Sequence, residues 1–482
     1  MITILFFFLL PLFPQHVKSS SDSCTPQQIH IALSDAFTSA PTSNNTIKAI
    51  FHTIEECSSA YISLKTSQGS QKITAKAVNS FQATYSSGDY STYVHIFDFP
   101  QLDYSQTYEY YCYGTDDTSL AKAQGPFEFY LPSPNYAGQE TKVVMFADMD
   151  VTDQGMTTVN RLIDLAENNF TDISAFIHVG DIAYNLERMA GTRGDKYMRT
   201  VQDFTAVMPY MITAGNHETE ANFSNFNMRF KMPNFDQSQN HYYSYNIGNM
   251  HFTSFNLDLI IEYPNLEKYM LNWLKQDLQQ ANSNRENQPW IIVYTHRPFY
   301  CSRPRDASCA SNSEKFSDFE ALLVKYGVDL VVSGHVHFYE RMLPIKKGKI
   351  TAFQVKLDDD NFNEIVNPQS PIYVLQGMAG HRDDEADPED AYEGKAWTVK
   401  VSKAYSYLAV SSQNNTHLLV EDFQSSDGGL VDYFYVIKSD EETYTRLAYE
   451  NIDELNRRLA SNGYQLRNSL LTLLFVCLYI FV

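Results

Sequence analysis

The chain has 482 residues, 44% hydrophobic and 14% aromatic, enough for a large core divided among two or three domains. Its formal net charge is −21, from 57 acidic against 36 basic side chains. Nucleic-acid binders carry a basic footprint, so that class is set aside, and the charge is read as that of a solvated surface.

The opening run MITILFFFLLPLF, followed by polar QHVKSSSDS, has the order of a secretory signal peptide, residues 1–20. Residues 24–133 then alternate in short runs, QIHIALS, TIKAIFHTI, AYISLKTS, TYVHIFDF and TYEYYCYG, separated by Ser, Gly, Asn and Asp. That many short strands in one stretch predict a β-sandwich. Tyr108, six residues after Leu102, resembles the corner tyrosine of fibronectin type III-like domains. LPSPNYAGQE, residues 131–140, reads as a linker.

From Lys142 the rhythm becomes strand, loop, helix. KVVMFADMD, AFIHVGDIAY, PYMITAGNHE, PWIIVYTHRPFY and VDLVVSGHVH are apolar runs that end in polar residues. Val159, Leu162, Ile163 and Ala166 form one helical stripe, and Leu266, Met270, Leu274 and Leu278 another. YYSYNIGNMHFTSFNLD reads as a hairpin. Ser317 with Glu320 predicts a capping box for a helix facing inward through Phe319, Leu322, Leu323 and Tyr326, and Gly327 should end it. Buried strands alternating with amphipathic helices predict an α/β layered domain with its site at the strand carboxyl ends.

Residues 439–463 are a polar spacer. The uncharged run LLTLLFVCLYIFV that closes the chain falls short of the ~20 residues of a membrane span. Small residues Ala460 to Gly463 and the spacer YQLRNS precede it, the order of a GPI-attachment signal whose residues 464–482 are removed; a tail anchor is the other reading. A secretory route predicts N-glycosylation at the sequons Asn44, Asn169, Asn222 and Asn414. It also predicts oxidised cysteines: Cys301 and Cys309 should close one loop. Of Cys24, Cys57 and Cys112 one is left over, able to link two chains. No C-x-x-C pair exists, which excludes a zinc ribbon or a thioredoxin-like motif.

Polar residues collect at five strand ends: Asp148; Asp181 with Tyr184; Asn216 with His217; His296; and His335 with His337. On an extended backbone residues i and i+2 point the same way, so His335 and His337 should reach one site. His16, His30, His52, His95, His178, His241, His251, His381 and His417 are read as ordinary surface or core residues. Carboxylates, a phenol, an amide and imidazoles without thiolates describe an O/N metal site, with too many ligands for one tetrahedral zinc. Two ions sharing a carboxylate fit the count, an arrangement that serves phosphoryl chemistry.

The blocks ADMD, GDIAY, GNHE, VYTH and GHVH, in this order, resemble those of the purple acid phosphatase family of calcineurin-like metallophosphoesterases. The resemblance covers Cys24 to about Lys438 and is to the long form with an N-terminal fibronectin-like domain. It implies an α+β chain: a β-sandwich, then a layered α/β/β/α catalytic domain over 140–438. By the same resemblance Asp148, Tyr184 and His337 would hold a ferric ion, and Asn216, His296 and His335 a divalent zinc, manganese or iron. Asp181 would bridge them, and His217 would protonate the leaving group. His335 and His337 would thus serve different ions, with Val336 turned into packing. The implied activity is acid phosphomonoester hydrolysis by hydroxide from metal-bound water, on small-molecule or protein substrates. The same site could act on diesters or nucleotides. A decayed surface-binding protein is disfavoured because every ligand position is filled. Membrane contact would be through the GPI anchor alone, at the extracellular face or in a lysosome-like compartment.

The first block departs from the family's pattern at Ala147 and Asp150. Asp150 would either repel phosphate or face away. Arg297, Arg303 and Arg305 follow His296 in a loop unlike the plant enzymes'. They could hold phosphate oxygens, though a solvated charged loop is favoured.

Overall fold

The computed structural model describes residues 23–439 and 445–446, apart from 40, 42, 58, 75, 86–87, 116–122, 137, 304–311, 356–361 and 382–394. The expected signal peptide and hydrophobic tail, and most of the spacer, lie outside the described residues. Among the described residues, no helix is long and apolar enough to cross a membrane.

Eight strands come first: β1 (Gln27–Leu33), β2 (Ile47–Thr53), β3 (Tyr61–Thr66), β4 (Gly69–Thr74), β5 (Ala77–Tyr85), β6 (Gly88–Asp98), β7 (Gln106–Tyr113) and β8 (Gln124–Leu131). They pair as two four-stranded antiparallel sheets, β1-β2-β6-β5 and β4-β3-β7-β8. Strand alternation selects what is buried: in β7, Tyr108, Tyr110 and Cys112 face the core while Glu109, Tyr111 and Tyr113 are half-exposed. The Tyr108 hydroxyl donates to the Asp103 carbonyl at 3.1 Å and accepts from its N–H at 2.9 Å, the closed corner that the sequence predicts.

Cys24 and Cys57 form a disulfide. The leftover cysteine is Cys112, fully buried, and burial pushes its thiol well above its usual range. A thiol sealed in this core cannot reach a second chain, which corrects the expectation of a disulfide-linked dimer. Cys301 is disulfide-bonded; Cys309, its expected partner, lies outside the described residues.

The second unit holds β9 (Thr141–Phe146), β10 (Ile173–Val179), β11 (Tyr210–Thr213), β12 (Tyr242–Ile247), β13 (Met250–Phe255), β14 (Trp290–Tyr294), β15 (Leu330–Ser333) and β16 (Tyr339–Met342). It continues through β17 (Ile345–Lys346), β18 (Lys349–Ile350), β19 (Gln354–Val355), β20 (Glu364–Val366), β21 (Ile372–Gln376), β22 (Thr398–Ser402), β23 (Ser406–Ser412), β24 (His417–Gln424), β25 (Leu430–Ile437) and β26 (Thr445–Arg446). One mixed sheet runs β11-β10-β9-β23-β24-β25-β20-β19-β26 and a second β12-β13-β14-β15-β21-β16-β22. Their parallel centres, β9 to β11 and β13 to β15 with β21, supply the site. Every residue of β10 and β14 is buried, which is why both read as unbroken apolar runs. The two sheets touch through Tyr243 of β12, whose hydroxyl donates to the Ile212 carbonyl of β11.

Helices α1 (Asp153–Asn168), α2 (Thr192–Thr205), α3 (Glu220–Arg229), α4 (Leu257–Glu262), α5 (Glu267–Ser283) and α6 (Ser317–Lys325) occupy the connections. The two predicted stripes are buried where expected, at Val159, Leu162 and Ala166 and at Met270, Leu274 and Leu278. Gly327, at φ 64°, follows the end of α6 as predicted. The capping box does not form. Ser317 is already helical, Phe316 takes the N-cap without a side-chain bond, and Glu320 accepts instead from the Tyr300 hydroxyl and the Lys347 N–H. Tertiary partners won the carboxylate from its local one.

The sandwich is docked, not tethered. The Tyr110 hydroxyl donates to the Ala206 carbonyl at 2.6 Å, Thr205 Oγ1 to the Ile29 carbonyl at 3.0 Å, and Arg229 Nη1 to Gln28 Oε1 at 2.6 Å. His30 lies in this interface, its ring nitrogens 2.9 and 3.0 Å from the Gln28 and Arg229 carbonyls. Burial lowers its pKa from 6.5 to about 4, does the same for His95 and His241, and takes His52 well below 6.5. Each folded value lies below the unfolded one. The stability contributed by keeping these rings neutral is complete above 6.5 and is lost as pH falls through about 4. The thermal unfolding midpoint is therefore expected to drop steadily as pH falls from 6.5 toward 4. A midpoint flat across that range in scanning calorimetry would contradict it.

Candidate metal centre

Five strand ends meet at one place. Asp148 follows β9, Asp181 and Tyr184 follow β10, and Asn216 and His217 follow β11, all in one sheet. His296 follows β14, and His335 and His337 follow β15, in the other. Four of these residues hold left-handed backbone: Asp148 at φ 61°, Asp181 at 53°, Tyr184 at 43° and His335 at 74°. Each such residue costs about 1–3 kcal/mol, so the surrounding fold must impose the conformation. The glycines in the blocks make room. A Cβ on Gly215 would lie 2.2 Å from Asp181 Oδ1, and one on Gly334 2.5 Å from Asp148 Oδ2.

The side chains sort into two groups. In one, the Tyr184 hydroxyl lies 3.0 Å from Asp148 Oδ1 and 2.8 Å from His337 Nε2, and His337 Nε2 lies 3.4 Å from Asp148 Oδ1. In the other, ligand atoms of Asp181, His296 and His335 all lie within 4.8 Å of one another. Asn216 Oδ1 joins this group at 3.3 Å from His296 Nε2. His217 stands beside both groups. Its Nε2 is 3.8 Å from Asp181 Oδ2, its Nδ1 is 2.6 Å from Asn185 Oδ1, and its ring centre is 4.6 Å from that of Tyr184.

His335 and His337 go to different groups, and the backbone that carries them is not the extended strand that alternation assumes. The strand has ended at Ser333, and residues 335–338 form bends with His335 left-handed. The turn, tightened by Val336 N–H to Gly334 carbonyl and Phe338 N–H to Val336 carbonyl contacts, sends the two rings to different groups. Val336 is buried, as expected.

His296 tests whether a cation fits. Its Nδ1 donates to the Val179 carbonyl at 2.9 Å, which turns the Nε2 lone pair toward Asp181 Oδ1 at 3.2 Å and Asn216 Oδ1 at 3.3 Å. With two oxygens facing this nitrogen, a positive charge, either a proton or a metal ion, belongs between them. Burial opposes charging this ring, yet the Asp181, Asp148 and Asp258 carboxylates raise its pKa to about 10. Burial also works against the Asp181 carboxylate, but His296, His217 and His335 hold its pKa well below the usual range. The donor set, O and N without sulfur, suits hard and borderline cations. Glu218 anchors the loops from behind, accepting N–H bonds from Asp181 at 3.0 Å, Ile182 at 2.8 Å and Gly215 at 2.8 Å. Burial and the Asp181 charge raise its pKa to about 8.

Three features were missed or left open by the sequence reading. His381, taken as ordinary, stacks on the Tyr184 ring at 3.5 Å between centroids and lies 5.0 Å from His337. A signal was present: IYVLQ, then GMAGH, repeats the pattern of a buried strand, glycine and histidine. Asp150 faces away from the centre, pairing with Arg193 and capping the Val151 N–H at 2.7 Å. Arg297 is no solvated loop residue: its side chain is 15% exposed and paired with buried Asp258. Arg303 lies on the described edge of that loop, and Arg305 lies outside the described residues.

The calcineurin-like phosphoesterase profile matches residues 141–339, and that of the iron/zinc purple acid phosphatase-like protein C matches residues 370–433. The chain is 34% identical over 276 residues to human acid phosphatase type 7, a match spanning 55% of this chain and 61% of that protein. To the zebrafish (Danio rerio) acid phosphatase type 7 it is 30% identical over 369 residues, covering 72% of this chain and 78% of the relative. A purple acid phosphatase isolated from yellow lupin (Lupinus luteus) seeds shares the fold, with a TM-score of 0.69 at 19% identity over 86% of this chain and 75% of the lupin chain. With its site blocks, its two matched profiles and these relatives, the chain belongs to the purple acid phosphatase family of calcineurin-like metallophosphoesterases.

Proposed function

We propose that this protein hydrolyses phosphate monoesters at acid pH at a binuclear metal centre. The observation that carries the reading is the division of the ligands into two groups, Asp148 with Tyr184 and His337, and Asp181 with His296 and His335, with His217 beside both. Asp148, Tyr184 and His337 would hold a ferric ion, Asn216, His296 and His335 a divalent zinc, manganese or iron, and Asp181 would contact both. That pair of ions supplies Lewis acidity and acidifies bound water. The chain's own residues do the rest. Tyr184 is backed by the stacked His381 ring, which fixes its hydroxyl beside Asp148. Asn185 Oδ1 accepts from His217 Nδ1, which fixes the ring and aims Nε2 at the site; as an imidazolium, His217 would carry on Nε2 the proton for the leaving oxygen.

The reading extends to a secreted glycoprotein held by a GPI anchor at the cell surface or in a lysosome-like compartment, as its terminal sequence patterns suggest. Asn44, Asn222 and Asn414 are exposed and Asn169 is half-exposed, open to glycosylation. Asn414 Oδ1 accepts from the Thr416 and His417 N–H groups at 2.8 and 2.9 Å, a turn that presents its amide outward.

Purified protein carrying two metals should turn over p-nitrophenyl phosphate at acid pH and absorb visible light through phenolate-to-iron charge transfer. Tyr184→Phe should bleach that band. Two bound metals with no turnover would overturn the reading. A colourless active protein would remove the ferric ion and keep the hydrolysis.

A further inference from the structure

Arg297 directly follows the ligand-type residue His296, and its Nε donates to Asp258 Oδ1 at 2.5 Å. Its Nη1 donates to His335 Nε2 at 3.0 Å. Asp258 is 1% exposed and sits in the first turn of α4, where Asn256 Oδ1 caps its N–H and that of Leu259. The second Asp258 oxygen, Oδ2, is buried with no hydrogen-bond partner among the described residues. Burial raises the pKa of this carboxylic acid, and the Arg297 charge opposes that rise.

Stability does not account for this pair. A buried ion pair seldom recovers the cost of desolvation, and an unpartnered carboxylate oxygen adds to that cost. What the pair does achieve is orientation. Asp258 holds the guanidinium from behind while its other edge touches a nitrogen of the candidate metal centre. A guanidinium 3.0 Å from the His335 ring is within reach of an anion held at the centre.

The charge balance adds a reason. A chain of net charge −21 repels a phosphate dianion at long range. At physiological salt charges are screened beyond roughly 8–10 Å, so a cation at the site decides capture. Arginine suits this task because its planar fork matches two phosphate oxygens.

We infer that Arg297 is a substrate-binding residue that donates to non-bridging phosphoryl oxygens, with Asp258 as its positioning residue. The inference rests on the proposed phosphatase reading and names the group that would recognise its substrate.

The test uses the full metal-loaded chain, with inorganic phosphate as the probe in titration calorimetry and p-nitrophenyl phosphate for kinetics. Losing a hydrogen bond to a charged group corresponds to about 10- to 100-fold in affinity. Arg297→Met should therefore weaken phosphate binding and raise KM by about that factor, with two metals still bound and kcat less affected. Arg297→Lys keeps the charge but not the fork and should fall between. Should the methionine variant fail to load metal, the lysine variant is read in its place. Asp258→Asn should weaken phosphate binding by a smaller factor, since the guanidinium remains but is no longer pinned. Unchanged phosphate affinity in metal-loaded Arg297→Met, alongside normal turnover, would overturn the inference and leave the phosphatase intact. Wild-type protein that binds phosphate through Arg297 but hydrolyses no monoester would sink the phosphatase and leave the anion site.

Discussion

Asp181→Asn is expected to abolish hydrolysis, with a fall of about 10³-fold or more, since a metal ion contributes several kcal/mol of charge stabilisation. The carboxylate is 1% exposed and stands with His296 and His335 in the second ligand group. Its Oδ1 faces His296 Nε2 at 3.2 Å and accepts the His217 N–H at 3.0 Å, while Oδ2 lies 3.8 Å from His217 Nε2. Asparagine preserves the shape and one acceptor oxygen but removes the charge that draws a cation. The fold should survive, because Glu218 holds the Asp181 backbone N–H rather than its side chain. Metal analysis and turnover on the same sample decide the matter: a variant with two metals and more than a tenth of the activity would remove Asp181 from the shared position.

His217→Ala is expected to lower kcat by about 10²- to 10⁴-fold, the range for losing a positioned general acid. His217 is half-exposed, so its removal leaves no cavity in the core, and a folding defect would not be the cause. The size of the effect should follow the leaving group. p-Nitrophenolate departs without much help from a proton; an alkoxide does not. An alkyl phosphate should therefore suffer more than p-nitrophenyl phosphate. Equal losses on both substrates would assign His217 to binding, not to proton transfer.

The candidate centre was legible because each ligand lies within a few residues of a buried strand's end, so a local pattern marks it. What stayed hidden depends on distant partners. Asp258 and Arg297 are 39 residues apart and meet only when β13 and β14 pair side by side. Asp150 could be read either as repelling phosphate or as turned away until Arg193 of α2 was seen against it. Glu320 looked like half of a capping box, yet Tyr300 and Lys347 claim it from other parts of the chain. Strand alternation predicts that His335 and His337 reach one site, but a left-handed turn at His335 places them there, and that turn is not visible in an alternating pattern. The sandwich was readable from alternation, and its corner tyrosine from spacing. Its docking through Gln28, Ile29 and Tyr110 was not, because those contacts join segments far apart in sequence.

The neutral imidazoles buried away from the centre bear on how a rate profile should be read. His30, His52 and His95 belong to the sandwich, which among the described residues contributes none of the candidate ligands. Between the folded values near 4 and the unfolded 6.5 the protein takes up several protons as it unfolds, so the acid side of any activity curve becomes a folding curve. Its slope would exceed one proton per pH unit, steeper than any single catalytic group can produce. The acid limit of the chemistry would then be set by buried rings outside the candidate centre.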